Sequence, residues 1–127
     1  MIVVDASAAV SALLNAGPAR HALSTEQVHV PHLIDSEVAN AVWRLVTAQR
    51  VSAHQGWRSL DAWRRLGVTR YPGVVLLDRV WELRNNLSAS DATYVALAER
   101  LDCALVSADA RLAGAPGVRC PITTVPR

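Results

Sequence analysis

Four carboxylates stand where the neighbouring residues announce a change of secondary structure: Asp5 after "IVV", Glu37 within "DSEVAN", Asp91 within "SASDAT" and Asp109 after "LVSA". Carboxylate oxygens are hard anionic ligands and proton acceptors. Each acid also has a local structural use. Asp5 precedes a run of small residues and caps a helix by accepting its free N–H groups. Glu37 falls in a first helical turn, where it suits the dipole and faces Arg44. Asp91 completes Ser88-x-x-Asp91, a variant of the capping box, and Asp109 caps a short helix at 110–112. Those uses account for each acid alone. Gathered in one pocket, four like charges cannot all stay ionised unless some take protons or a cation stands among them. All-oxygen ligation suits Mg²⁺ or Mn²⁺, and such an ion acidifies water and neutralises charge developing on a phosphodiester.

What gathers them is the order of elements. Residues 2–4 read as a short buried strand, followed by a helix through Leu14 that breaks at Asn15, Gly17 and Pro18 and resumes over 19–23. A strand at 28–30 stops at Pro31. Over 33–49, Ile34, Val38, Ala41, Val42 and Leu45 recur at helical spacing, and a helix over 53–66 places Trp57, Leu60 and Trp63 on one face. "GVTRYPG" holds a short strand and turn, "VVLLDRVWELRNN" and "SASDATYVALAERL" are helices, and "CALVSA" is a buried strand. "DARLAGAPG" is a loop or short helix, and "VRCPITT" an edge strand interrupted by Pro121. Strands separated by helices imply a parallel sheet covered on both faces. Ligands of such sheets bind beyond the carboxyl ends of the strands, and all four acids belong at that edge. Asp61, Asp78, Glu82, Glu99 and Asp102 are expected in solvent.

The chain of 127 residues suits one domain, 1–127, and is too short for two ordinary ones. Hydrophobic residues make up 51%, yet no apolar run approaches the roughly 18 residues of a membrane span, and the first residues lack an export pattern. A cytoplasmic location without membrane contact is expected. Cys103 and Cys120 lack CxxC spacing and read as buried free thiols, and the histidines show no ligand spacing. Every basic residue is Arg, and a net charge of +2 permits a nucleic-acid partner without requiring one. Phosphoaspartate enzymes need a lysine, which is absent, and the phosphatases among them a second Asp where Ser7 stands. Phosphate-loop, dinucleotide and nucleophile-elbow patterns are absent too. Four Trp lie on helices in a chain without Phe, and at least two are expected in the core.

In order and at fitting separations, "VVDASA", "HVPHLIDSEVANAVWRL", "LSASDATYVALAERL" and "CALVSADARL" resemble the PIN-domain ribonucleases, specifically the VapC toxins of bacterial toxin–antitoxin pairs. The resemblance implies an α/β fold, a PIN-like α/β/α sandwich with a central parallel sheet of four to five strands. It implies Mg²⁺- or Mn²⁺-dependent endonucleolytic cleavage of RNA to a 5′-phosphate and a 3′-hydroxyl, a cognate VapB-type antitoxin that blocks the site, and a homodimer. Carried over by position, Asp5, Glu37, Asp91 and Asp109 are the catalytic, metal-holding quartet, and Asn40 supports it by hydrogen bonding. Ser7 and Ser107 match small hydroxyl positions, which ordinary turn capping explains equally well. Arg20, Arg44, Arg84 and Arg111 are candidates for RNA contact. Arg111 stands where some PIN nucleases carry a further acid, so one ion is expected and a second left open. The alternative is a catalytically inactive PIN-like module that binds RNA or a partner; such a module should lack one or more of the acids, and all four are present.

Overall fold

A computed structural model describes residues 1–127. Strand β1 (Ile2–Val4) is apolar and wholly buried because it is the middle strand, with both faces covered. It pairs in parallel with β2 (Val28–Pro31) on one side and β4 (Ala104–Ser107) on the other. Strands β3 (Thr69–Tyr71) and β5 (Ile122–Thr124) lie outside these, giving the all-parallel order β3-β2-β1-β4-β5. Five strands is the upper end of the expected range. Pro121, with no N–H to donate, confines the last strand to its final three residues.

Right-handed crossovers decide which face each helix covers. The chain moves outward from β1 to β3 through α1 (Ala6–Leu14), α2 (Pro18–Thr25), α3 (Ile34–Thr47) and α4 (Ala53–Arg65), so these pack together on one face. It then returns across the sheet to β4 through α5 (Leu77–Glu82) and α6 (Ala89–Arg100), which pack on the other. All of Ala92–Ala98 in α6 is buried, because this middle stretch is small or apolar on nearly every side while the polar residues gather at the helix ends. Gly56 lets α4 approach α3 closely: a Cβ there would lie 2.8 Å from Val46 Cγ2.

The structure corrects three expectations. Residues 74–86 are not one helix but a 3-10 turn over Gly73–Leu76 followed by the six-residue α5; neither start has a side-chain cap. Only Trp63 is core; Trp43, Trp57 and Trp81 are exposed. Trp63 is held there by its partner, since its Nε1 donates to Asp35 Oδ1 at 2.8 Å and Arg70 grips the same carboxylate through Nε and a terminal nitrogen. Both thiols are free, Cys103 buried and Cys120 half-buried, and no helix is long and apolar enough to cross a membrane.

Glu99 is the third correction. Its side chain is 13% exposed and accepts from Arg79 Nε at 2.7 Å and from the Arg119 backbone N–H at 2.8 Å, while Arg79 also donates to the Gly117 carbonyl. Arg79→Ala is therefore expected to reduce stability at neutral pH by about 1–3 kcal/mol, because it leaves a largely buried carboxylate without its cation. Burial opposes ionisation of Glu99, but the Arg79 and Arg119 bonds outweigh it and hold the carboxyl below its ordinary value of 4.5. An acid depressed on folding contributes stability above its unfolded pKa and loses it as pH falls through the folded one. Urea melts should accordingly show the wild-type advantage narrowing below about pH 4.5; a gap independent of pH would mean that Arg79 acts through packing alone.

Candidate active site

In a parallel sheet, helix N-termini and strand C-termini share one edge, and the strand order reverses between β1 and β4. Asp5 ends β1 and Asp109 follows β4, so these two flank the switch point, while Asp91 and Glu37 lie in the first turns of α6 and α3.

Asp5 is both a cap and more than a cap. Its N–H extends the sheet by donating to the Val106 carbonyl, and its Oδ1 accepts from the Ala8 N–H at 2.9 Å and the Ser7 hydroxyl at 2.6 Å. The residue is only 5% exposed, yet Oδ2 makes no hydrogen bond and is not sealed from solvent. One oxygen therefore serves the helix and the other remains without a partner. Ser7 and Ser107 stitch the two acid-bearing turns together. Ser7 Oγ accepts from the Ala108 N–H at 2.9 Å and lies 3.4 Å from Ser107 Oγ, which accepts from the Asp109 N–H at 2.9 Å.

Asp91 belongs to a half-built capping box. Ser88 Oγ accepts from the Asp91 N–H at 3.1 Å, but the carboxylate makes no return bond to the Ser88 N–H, whereas Ser52 and Gln55 at the start of α4 form both halves. Burial raises the Asp91 carboxyl above its usual range, and the charges of Asp5 and Asp109 raise it further against the opposing pull of the Ser88 hydroxyl and Arg111. Asp91 makes no ion pair of its own, since Arg111 is paired with Asp109.

The other two acids are engaged. Asp109 caps its turn by accepting from the Arg111 N–H, and the Arg111 guanidinium grips it at 3.1 Å (Nε to Oδ1) and 2.9 Å (to Oδ2), holding its carboxyl low. Glu37 Oε1 accepts from the Tyr94 hydroxyl at 2.5 Å. Tyr94 is buried, and that burial, with Glu37 and Asp5 nearby, raises its hydroxyl pKa and keeps it a donor. With Asp109 on Arg111 and Glu37 on Tyr94, no three acids stand at ligand geometry around one point in this arrangement. The fold brings Asp91 under the charges of both Asp5 and Asp109, and Tyr94, bonded to Glu37, under that of Asp5.

Beside Glu37 opens a cleft of about 640 Å³, lined by Ser7, Asn40, Arg44, Arg50 and Arg127 among others. Asn40 lines it but makes no hydrogen bond to Glu37. Of the arginines expected at RNA, only Arg44 faces this cleft. Arg20 donates to the Ala12 and Leu13 carbonyls that end α1, Arg84 stacks over Trp81, and Arg111 is the counter-ion of Asp109. Tyr94 is the one site residue that motif and spacing do not single out. Its signal is a large side chain with a polar tip in the mostly apolar middle of a helix, three residues after Asp91 and on its face.

An α/β sheet of this order with acids at its switch point defines a class, and the chain belongs to it: the PIN domain family, whose model matches residues 2–118. Its relatives narrow the class to VapC ribonucleases. The chain is 60% identical over 127 residues, the whole of both chains, to Ribonuclease VapC9 of Mycobacterium tuberculosis (strain ATCC 25618 / H37Rv). It is 42% identical to Ribonuclease VapC1 of the same strain, with 97% of this chain and 96% of that one covered. Among solved structures, VapBC2 from Rickettsia felis, bound to a DNA fragment from their promoter, superposes with a TM-score of 0.68 over 98% of both chains; at 14% identity it shares the fold.

Proposed function

We propose that this chain is a divalent-metal-dependent endoribonuclease, a VapC-type toxin held in check by a VapB-type antitoxin. The observation that carries the reading is the concentration of acid at the switch point: Asp91, half-buried and under the charges of Asp5 and Asp109, together with the unbonded Oδ2 of Asp5. Full-length identity of 60% to a VapC ribonuclease supports it. These oxygens suit Mg²⁺ or Mn²⁺, which Asp5, Glu37, Asp91 and Asp109 would hold. Bound there, such an ion supplies charge neutralisation at a phosphodiester and a more acidic water.

The chain's own residues provide the rest. Ser7 and Ser107 keep the Asp5 and Asp109 turns at a fixed separation, and Tyr94 orients Glu37 while burying its own hydroxyl. Arg111 pairs with Asp109 and would offer forked donors to a phosphate brought to that carboxylate. A homodimer and the antitoxin are the proposed protein partners. The exposed apolar side chains Trp43, Trp57, Val74, Leu77 and Trp81 offer surface for them to cover.

The purified chain should cleave 5′-labelled single-stranded RNA in Mn²⁺ or Mg²⁺, leaving 5′-phosphate and 3′-hydroxyl ends. Chelation should abolish cutting and added Mn²⁺ restore it. Cleavage that survives chelation would overturn the metal reading, and RNA binding without cleavage at any Mn²⁺ concentration would favour the inactive module.

A further inference from the structure

All thirteen basic side chains are arginines, and eight of them are engaged. Arg64 and Arg65 pair with Asp61, Arg70 with Asp35, Arg79 with Glu99 and Arg111 with Asp109, while Arg20, Arg84 and Arg100 donate to backbone carbonyls. The side chains of the remaining five, Arg44, Arg50, Arg58, Arg119 and Arg127, make no hydrogen bond or ion pair. Four of those five line one groove.

That groove begins at the acid site. The cleft beside Glu37, lined by Arg44, Arg50 and Arg127, continues into a second of about 560 Å³ between the end of α1 and α4, lined by Arg50 and Arg58. The two share Leu14, Asn15, Leu45 and Arg50, and Glu37 is the sole acid along both. The backbone of residues 125–127 reaches the acid end because the Val125 N–H donates to the Ser107 carbonyl and the Ser11 hydroxyl to the Pro126 carbonyl. A helix dipole accounts for Arg44, in the last turn of α3. It does not account for Arg50, beyond that helix, or for Arg58, in the first half of α4.

Unpaired guanidinium groups along an open groove attract a polyanion, and their forked donors match phosphate oxygens. An apolar floor that includes Leu14, Leu45 and Val51 suits unstacked bases. We infer that this groove is a track for single-stranded RNA, in which Arg44, Arg50 and Arg58 hold phosphates to one side of the bond presented at the acid site, with Arg127 at the acid end. The inference rests on the nuclease reading and deepens it. An acidic protein segment would also meet the arginines, but RNA is favoured because the groove runs directly into the carboxylates proposed to act on a phosphodiester.

The test uses the full chain carrying Asp5→Asn, so that RNA is bound without being cut, and a fluorescein-labelled single-stranded RNA of about twelve nucleotides in Mg²⁺. Anisotropy titrations across a range of NaCl concentrations give affinity and its salt slope. Adding Arg50→Ala with Arg58→Ala should weaken binding roughly tenfold and reduce the slope by about 1.4, near 0.7 for each phosphate of a single strand that is no longer neutralised. Arg64→Ala with Arg65→Ala, the same change of charge elsewhere on α4, should alter affinity by less than about twofold. Equal weakening by both pairs would mean a diffuse field and overturn the track. An unchanged RNA affinity in the groove variant would overturn it as well, and if antitoxin binding fell instead the groove would belong to a protein partner. Because the readout is binding, these outcomes leave the nuclease reading standing. Failure of the unmodified chain to cut RNA, with arginine-dependent binding intact, would overturn that reading and leave the track.

Discussion

Asp5→Asn is expected to slow RNA cleavage by about a thousandfold, because several kcal/mol of metal-dependent charge stabilisation depend on the ligand set, while metal-free protein melts close to the wild-type temperature. The two effects separate because the two oxygens of Asp5 have different partners. An asparagine carbonyl still accepts from the Ala8 N–H and the Ser7 hydroxyl, which are the bonds that secure α1 and the adjoining turn. What disappears is the anionic Oδ2. Asp5→Ala removes both functions, so it should also lower stability by about 1 kcal/mol or more through the lost cap. Initial rates and thermal melts of the two variants make the comparison. If the asparagine variant cut RNA within tenfold of wild type, Asp5 would be a cap alone.

The parts of this site legible in the sequence are those that follow from element order. An acid after an apolar triplet, an acid in a helix's first turn and an acid after "CALVSA" are placed at one sheet edge by topology. Each assignment therefore needs only the strand and helix pattern, which the buried middle strands make plain. Interactions that cross the fold are not legible. The Tyr94 bond to Glu37 joins residues 57 apart, and nothing local to either announces the other. The Asp109–Arg111 pair is local, but whether an exposed arginine grips its neighbour or reaches for a ligand depends on the rotamer and not on the residue type. Trp57 lies on a helical face that reads as core by periodicity, and Trp43 on a helix beside an apolar stripe that does not include it. In the structure both are exposed and line a shallow cleft between α3 and α4. Residues 74–86 depart from expectation for a different reason: without a side-chain cap, a β-branched start gives a 3-10 turn before a helix can propagate.

Asp91→Asn is expected to act in opposite directions on stability and on function, and the reversal is its signature. In metal-free protein the Asp91 carboxyl is raised above its ordinary 3.8, by burial first and then by Asp5 and Asp109. An acid raised on folding makes the folded state less stable as pH climbs through the carboxylate range, so at pH 7 its charge is a liability. Asparagine removes that charge and leaves the Ser88 hydroxyl bonded to the backbone N–H of residue 91. It gives up a favourable acid near the α6 N-terminus, which offsets part of the gain. The melting temperature without metal should rise by roughly 1–3 °C at pH 7. That advantage should shrink as pH falls toward 4, where the wild-type carboxyl takes up its proton. With saturating Mn²⁺ the order should invert. Wild type gains about 2.7 kcal/mol at a hundredfold excess over Kd, whereas the variant, lacking one ligand, gains little and cuts RNA on the order of a hundredfold more slowly. Melts with and without Mn²⁺ at two pH values, paired with cleavage rates, would expose the crossover. If both proteins kept the same ranking in every condition, Asp91 would be a helix-turn acid like any other, and the charge at the switch point would have no ion to answer it.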